Sequence, residues 1–237
     1  MSKMPFIYGR LALEFEFTNR EEETARLINN FNSGINTILI SPRRWGKSSL
    51  VIHAAGQAKN KKLIFCFIDL FNVRSEQEFY ELLALEVIKT TTSKTEEMLR
   101  ISKKFLSNLI PRLSIQADIN SEIQLSLDAK EIKKNPNDVL NLAEKIAKEK
   151  NIRIIICIDE FQNLSNYDNP ENFQKKLRSN WQKHQHVTYC LYGSKRHMMT
   201  HIFTSSAMPF YKFGDLIFLD KIKRESWIKF IVKRFKD

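Results

Sequence analysis

Cysteine is scarce in this sequence. There are three in 237 residues, Cys66, Cys157 and Cys190, each inside a separate apolar run and none in a C-x-x-C pair. This usage argues against a disulfide framework or thiol chemistry and for small buried hydrophobes in a reducing compartment. Long apolar runs are also missing. No stretch approaches the ~20 uncharged residues needed to span a bilayer, and Met1–Arg10 lacks the apolar core of a secretory signal. Together these absences predict a cytoplasmic chain with no membrane insertion. No internal repeat or low-complexity segment is present. Acidic residues are in deficit, with 27 Asp and Glu against 38 Lys and Arg for a net charge of +11. A field of that sign attracts nucleoside triphosphates, nucleic acid or anionic lipid without choosing among them.

The chain is long for one minimal domain and short for two. Its 43% hydrophobic residues, with 17 Phe, are enough for a sizeable core. Five short runs, Ile35–Ile40, Leu63–Leu70, Ile152–Ile158, Val187–Leu191 and Leu216–Leu219, are apolar almost throughout. That pattern predicts strands covered on both faces, as in a parallel sheet. Helical patterns lie between them at Glu21–Phe31, Ser75–Ile88, Thr95–Ile110 and Asn172–His184, and the alternation predicts an α/β layered fold. Asn135, with Pro136 and Asp138 behind it, reads as the cap of a helix running to about Lys150. Leu113, Ile115, Ala117 and Ile119, then Ile123, Leu125 and Leu127, alternate on either side of Asn120–Glu122. This spacing predicts a β-hairpin inserted into the core.

The most informative segment runs from Ile38 through Leu50. An apolar strand leads into Ser41-Pro42-Arg43-Arg44-Trp45-Gly46-Lys47-Ser48-Ser49, and a helix is expected from Ser48. The general pattern is G-x-x-x-x-G-K-S/T, a phosphate-binding loop. Backbone N–H groups wrap the phosphate and the helix N-terminus adds partial positive charge. Gly46 lets the backbone approach closely. Lys47 reaches the β- and γ-phosphates, Ser48 suits Mg²⁺, and Ser49 faces the α-phosphate. Ser41 replaces the first glycine, a strained choice if that position needs positive φ. Arg43 and Arg44 can face phosphate, a neighbouring subunit or solvent, and Trp45 can shield the nucleotide.

Such a loop requires a distant acidic partner, and Arg153–Glu160 supplies an apolar strand ending in two carboxylates. Asp159 is placed to hold Mg²⁺ and Glu160 to polarise an attacking water. Asp69 ends another strand but has no second carboxylate beside it. A third strand ends at Tyr192-Gly193-Ser194, where Ser194 is the candidate to sense the γ-phosphate.

These segments together resemble the archaeal-type ATPase family of the AAA+/STAND group of P-loop NTPases. Ser41–Leu50 resembles its phosphate loop, Phe17–Glu21 the motif that precedes the first helix and borders the adenine, Ile158–Gln162 its D-E-F-Q acidic strand, Leu191–Ser194 with Met198 its sensor strand, and Pro209–Tyr211 the loop before its last core strand. The resemblance implies a three-layer α/β P-loop fold with a parallel sheet of order 5-1-4-3-2. It implies ATP with Mg²⁺ as cofactors, and it adds Asn19 and Arg20 to the nucleotide-binding residues. No N/T-K-x-D guanine signature occurs. In this reading residues 1–214 form the core, with the insertion at about 95–135, and 215–237 form the last strand and the start of a helical lid. Family members continue into the rest of the lid and a winged-helix domain, so a shortened chain is expected. Tyr211–Gly214 stands where the family has Tyr-Gly-Arg, which leaves Lys212, Lys195 or Arg196 as substitutes for the arginine.

His197 and His201 share a helix face in principle, but no Cys or carboxylate completes a metal set with them or with His184 and His186. The basic segment Lys221–Lys236 suits nucleic acid or the exposed side of a lid helix. Three functions follow: an ATP-hydrolysing switch, a nucleotide-gated module for a DNA or protein client with little hydrolysis, and a small-molecule kinase. The paired Asp159 and Glu160 favour water activation over the last. ATP and ADP are the expected ligands, and oligomerisation stays open.

Overall fold

The side chains of the five apolar runs divide by parity onto two covered faces. A computed structural model of the chain describes residues 11–12, 16–58, 62–106 and 135–236. Within them β1 is Thr37–Ile40, β2 Leu63–Asp69, β3 Arg153–Asp159, β4 Val187–Gly193 and β5 Asp215–Phe218. Ile154, Ile156 and Ile158 enter one core with Ile38, Ile40, Tyr189 and Leu191. Ile155 and Cys157 enter the other with Leu39, Cys190 and Tyr192. Successive side chains on a strand point to opposite faces, so a strand covered on both sides is apolar throughout. All pairings are parallel, in the order β2-β3-β4-β1-β5. Read from the other edge this is 5-1-4-3-2, the expected P-loop order.

Helix α1 (Glu21–Ser33) and helix α2 (Lys47–Gln57) cover one face through Leu27, Phe31, Leu50, Val51 and Ala54. The other face carries α3 (Glu76–Thr91), α4 (Thr95–Leu106), α5 (Pro136–Leu140), α6 (Leu142–Lys150), α7 (Pro170–Trp181) and α8 (Arg196–Thr204). There Trp181 stacks on Tyr189 with ring centroids 4.1 Å apart. Helix α9 (Arg224–Lys236) follows β5 and buries none of its residues. No helix among the described residues is long and apolar enough to cross a membrane. All three cysteines are buried and free, and burial pushes the Cys66 thiol up to about 12.

Several boundaries differ from expectation. The single helix expected after Asn135 is two, broken at Asn141 (φ −97°, ψ 3°). The Asn141 amide donates to the Asn137 carbonyl at 2.7 Å and to Asn180 at 2.9 Å, and side-chain bonds of this kind compete with the helical ladder. Helix α7 starts at Pro170 and ends at Trp181, so His184 lies outside it. The helix after the phosphate loop starts at Lys47, one residue early. The expected hairpin over residues 113–127 lies outside the described residues.

Two of the four clustered histidines, His184 and His186, have protein partners of their own. His184 bonds Tyr189 Oη at 2.8 Å and Asn141 Oδ1 at 2.9 Å. His186 Nδ1 bonds Glu144 at 2.8 Å. His197 and His201 are exposed on α8, and among the described residues no group of three or more His, Cys, Asp or Glu side chains is placed to hold a metal. Burial pushes the Glu144 carboxyl up, but bonds from the His186 ring and from the backbone N–H groups of His186 and Gln185 outweigh it and hold the carboxyl below its ordinary range. A depressed carboxyl stabilises the fold above its unfolded pKa of ~4.3, and that contribution is lost as pH falls through the folded value. Glu144→Gln is therefore expected to lower the melting temperature at pH 7 by about 1–4 °C. It should also flatten the fall in melting temperature below about pH 5. An acid limb of unaltered slope counts against this account.

Candidate functional site

β1 is wholly buried and delivers the chain to Ser41, which is 1% exposed. The Ser41 N–H donates to the Gly193 carbonyl at 3.4 Å on the neighbouring strand. The chain then turns through Pro42–Gly46 into α2. Two residues of this turn are left-handed, Arg44 (φ 66°) and Gly46 (φ 86°). A Cβ on Gly46 would face open space, so glycine is required there by its φ rather than by crowding. Ser41 is not left-handed, and the expected strain at the first loop position is absent. Restoring the general pattern with Ser41→Gly should leave nucleotide affinity within about twofold. It should cost roughly 0.5–1 kcal/mol of stability through added chain entropy. Isothermal titration and a denaturant melt check both, and a large gain in affinity would refute the point.

The acidic strand β3 lies one strand away from β1, with β4 between them. Asp159 closes β3, and Glu160 (φ 52°) turns the chain sharply into a 3₁₀ turn, Phe161–Asn166. Ser48 Oγ donates to Asp159 Oδ2 at 2.5 Å. Lys47 Nζ lies 2.9 Å from Glu160 Oε1 and 3.5 Å from Asp159 Oδ1. Ser194, at the end of β4, donates to Glu160 Oε2 at 2.8 Å. Lys47, Ser48, Asp159, Glu160 and Ser194 thus meet in one site at the C-terminal edge of the sheet. Burial raises the Asp159 carboxyl above its usual range despite the Ser48 bond and the Lys47 charge. For Glu160 burial also pushes upward, but bonds from Lys47, Gln162 and Ser194 outweigh it and hold the carboxyl low. The Ser48 hydroxyl beside the Asp159 carboxylate is a hard oxygen donor pair of the kind that Mg²⁺ takes.

Beside this cluster is a cleft of ≈ 350 Å³ whose walls include Phe17, Arg20, Arg44, Trp45, Ser49 and Trp227. Lys221 Nζ sits 5.9 Å from the Trp45 ring centroid. Ser49 Oγ accepts the Ala12 N–H at 3.1 Å. Arg20 is 5% exposed, and its guanidinium is engaged by protein groups: Glu23 at 2.8 Å, the Trp45 carbonyl at 3.4 Å and the Asp220 carbonyl at 2.5 Å. It clips the start of α1, the phosphate loop and the segment after β5 together. Asn19 lies outside this cleft and borders a separate depression with Phe17 and His53. Its Oδ1 accepts from Ser226 at 3.3 Å. Pro42 is part-buried and Arg43 exposed. Arg196 rests over the Phe218 ring at 5.4 Å, and Lys212 over Tyr211 at 5.3 Å. Two residues of the site were given no role by the sequence reading, Gln162 and Gly193. Gln162 Nε2 donates to Glu160 Oε2 at 2.5 Å.

A sequence profile described as an ATPase domain predominantly from Archaea matches residues 17–237. No curated protein matches the sequence. Among solved structures, a Walker-type ATPase of Pyrococcus abyssi superposes with a TM-score of 0.62 at 18% identity, covering 98% of this chain and 62% of its own. The ORC2 protein of Aeropyrum pernix, solved with ADPNP and ADP, gives 0.60 at 13% identity, with 98% and 55% covered. The ORC1 protein of the same organism, solved with DNA, gives 0.50 at 10% identity, with 93% and 50% covered. Identities this low establish the fold alone, and the chain spans only about half to three fifths of the length of these relatives.

Proposed function

The chain belongs to the family of ATPase domains found predominantly in Archaea, and from that premise we propose that it is an AAA+/STAND-type switch that binds ATP with Mg²⁺ and hydrolyses it. One observation carries the reading: the phosphate loop brings Lys47 and Ser48 against Asp159 at the end of β3 and Glu160 just after it and, through Glu160, Ser194 just after β4. The loop N–H groups and the α2 N-terminus bind phosphate. Lys47 places its charge on the outer phosphates, and Ser48 with Asp159 holds Mg²⁺, which when bound neutralises charge developing on the phosphoryl oxygens. Glu160, held ionised, accepts the proton of the attacking water. Ser194 orients that carboxylate. Arg44, Trp45, Gly46 and Ser49 line the cleft in which the rest of the nucleotide is accommodated, while Arg20 braces its walls. In this reading residues 1–214 are the ATPase core and 215–237 the last strand and the start of a cytoplasmic switch's lid. Because Arg20 holds both the phosphate loop and Asp220, a shift in the loop is passed to the segment leading into α9.

The test is a titration of ATP against GTP with and without Mg²⁺, followed by turnover measured against Lys47→Ala. Mg²⁺-dependent preference for ATP and turnover above that variant are expected. Absence of nucleotide binding, or turnover equal to Lys47→Ala, defeats the reading. A second reading, a nucleotide-gated module for DNA or a protein client with little hydrolysis, draws support from α9. Its cations Lys229, Lys233, Arg234 and Lys236 lie beside exposed Trp227, Ile228 and Ile231. DNA affinity that is flat with salt would count against it.

A further inference from the structure

We infer that Gln162 is a positioning residue: its buried carboxamide, seated against the Cα of Gly193, holds one oxygen of the Glu160 carboxylate and so lets β4 set where that carboxylate points. The inference rests on the hydrolysis reading above. Gln162 is wholly buried. A carboxylate only accepts hydrogen bonds, so the amide must present Nε2 to Glu160 and turn Oε1 the other way. Oε1 then faces Gly193, where an added Cβ would lie 1.9 Å from it and 2.9 Å from Met199 Sδ. Gly193 is not left-handed, so the glycine serves the close approach rather than the backbone angle. Oε1 finds no hydrogen-bond donor among the described residues. A buried amide with one half unmet is a liability for stability, and an apolar side chain of the same length avoids it. What the amide provides in return is its one bond, to Glu160 Oε2.

The division of labour on Glu160 explains why that bond matters. Oε1 faces Lys47, while Oε2 takes both neutral donors, Gln162 and Ser194. Once Lys47 is engaged by phosphate, Oε1 is released and Oε2 remains fixed. Neutral donors hold a carboxylate without cancelling its charge, and the freed oxygen keeps a fixed direction toward water. Ser194 alone supplies one anchor. With Gln162 there are two, from two different elements, and the carboxylate plane is defined.

Gln162→Met keeps length and volume but removes the donor. The expected result is a fall in kcat of about 10–100-fold, with KM, ATP affinity by titration and melting temperature close to wild type. Gly193→Ala, which displaces the amide, should lower kcat in the same sense. Unchanged kcat in Gln162→Met overturns the inference. So does a joint decline of kcat, ATP affinity and melting temperature, which marks a packing role only. If Gln162→Met does not fold, Gln162→Leu is measured, and failure of both to fold likewise assigns the residue to the core and ends the proposal. Wild-type turnover no higher than Lys47→Ala is a separate result, which removes the hydrolysis reading and this inference with it.

Discussion

Glu160→Gln is expected to reduce ATP turnover by about 10²–10⁴-fold, the range of a lost general base, while ATP binds as tightly as to wild type or more tightly. The second half of the expectation comes from the geometry. Lys47 is paired with Glu160 at 2.9 Å and lies 3.5 Å from Asp159. A nucleotide must draw Lys47 from the nearer carboxylate, and a neutral amide there competes less. Melting temperature at pH 7 should fall by about 1–4 °C, because the variant loses the Lys47 ion pair that helps hold Glu160 ionised, and other features limit the loss. The amide is isosteric, Asp159 still faces Lys47, and the backbone N–H of residue 160 still donates to Asp159. A binding titration beside a phosphate-release assay separates the two effects. Equal loss of binding and turnover would mean that Glu160 shapes the site instead of acting on water.

The parts of this site that the sequence makes legible are those in which one local pattern implies one geometry. Ile154–Ile158 is apolar throughout because both faces of β3 are covered, and the strand that follows this rule ends at Asp159 and Glu160. The G-K-S triplet after a buried strand places Lys47 at the start of α2 in the same way. The contribution of Ser194 is of a different kind. It depends on β4 lying between β1 and β3, which the family resemblance implied and no local spacing shows. Arg20 illustrates what stays hidden. The sequence offers a cation next to an adenine-bordering motif, whereas the fold commits that cation to two carbonyls, one 25 and the other 200 positions away. Gln162 sits inside the quoted D-E-F-Q motif, yet its orientation is fixed by a glycine on another strand. Asn141 breaks a helix whose apolar pattern runs on unbroken, because its amide has a partner on α7 that only the packed structure supplies.

Lys47→Ala is expected to do more than weaken phosphate binding. The loss of affinity should be at least about 10–100-fold, corresponding to one charge-assisted contact of ~1.5–3 kcal/mol. The same change leaves Asp159 and Glu160 side by side without their cation, where each is 17% and 12% exposed. Breaking a fully buried ion pair costs ~3–5 kcal/mol. Residual access to water reduces this to roughly 1–3 kcal/mol here, a fall in melting temperature of about 3–10 °C. The sign with pH follows from the carboxylates. Without Lys47 the Asp159 pKa, already raised by burial, rises further and the Glu160 pKa rises from its lowered value, so the variant's shortfall is least where both carboxyls are protonated and grows as pH rises through their folded values. The deficit between variant and wild type should therefore shrink on acidification. Adding Glu160→Gln to Lys47→Ala removes one of the unpaired charges and should recover most of the lost melting temperature at pH 7 without recovering nucleotide binding. A single variant that melts like wild type at every pH, or a double variant no more stable than the single, would show that water and the neighbouring hydroxyls already satisfy these carboxylates and that Lys47 serves the nucleotide alone.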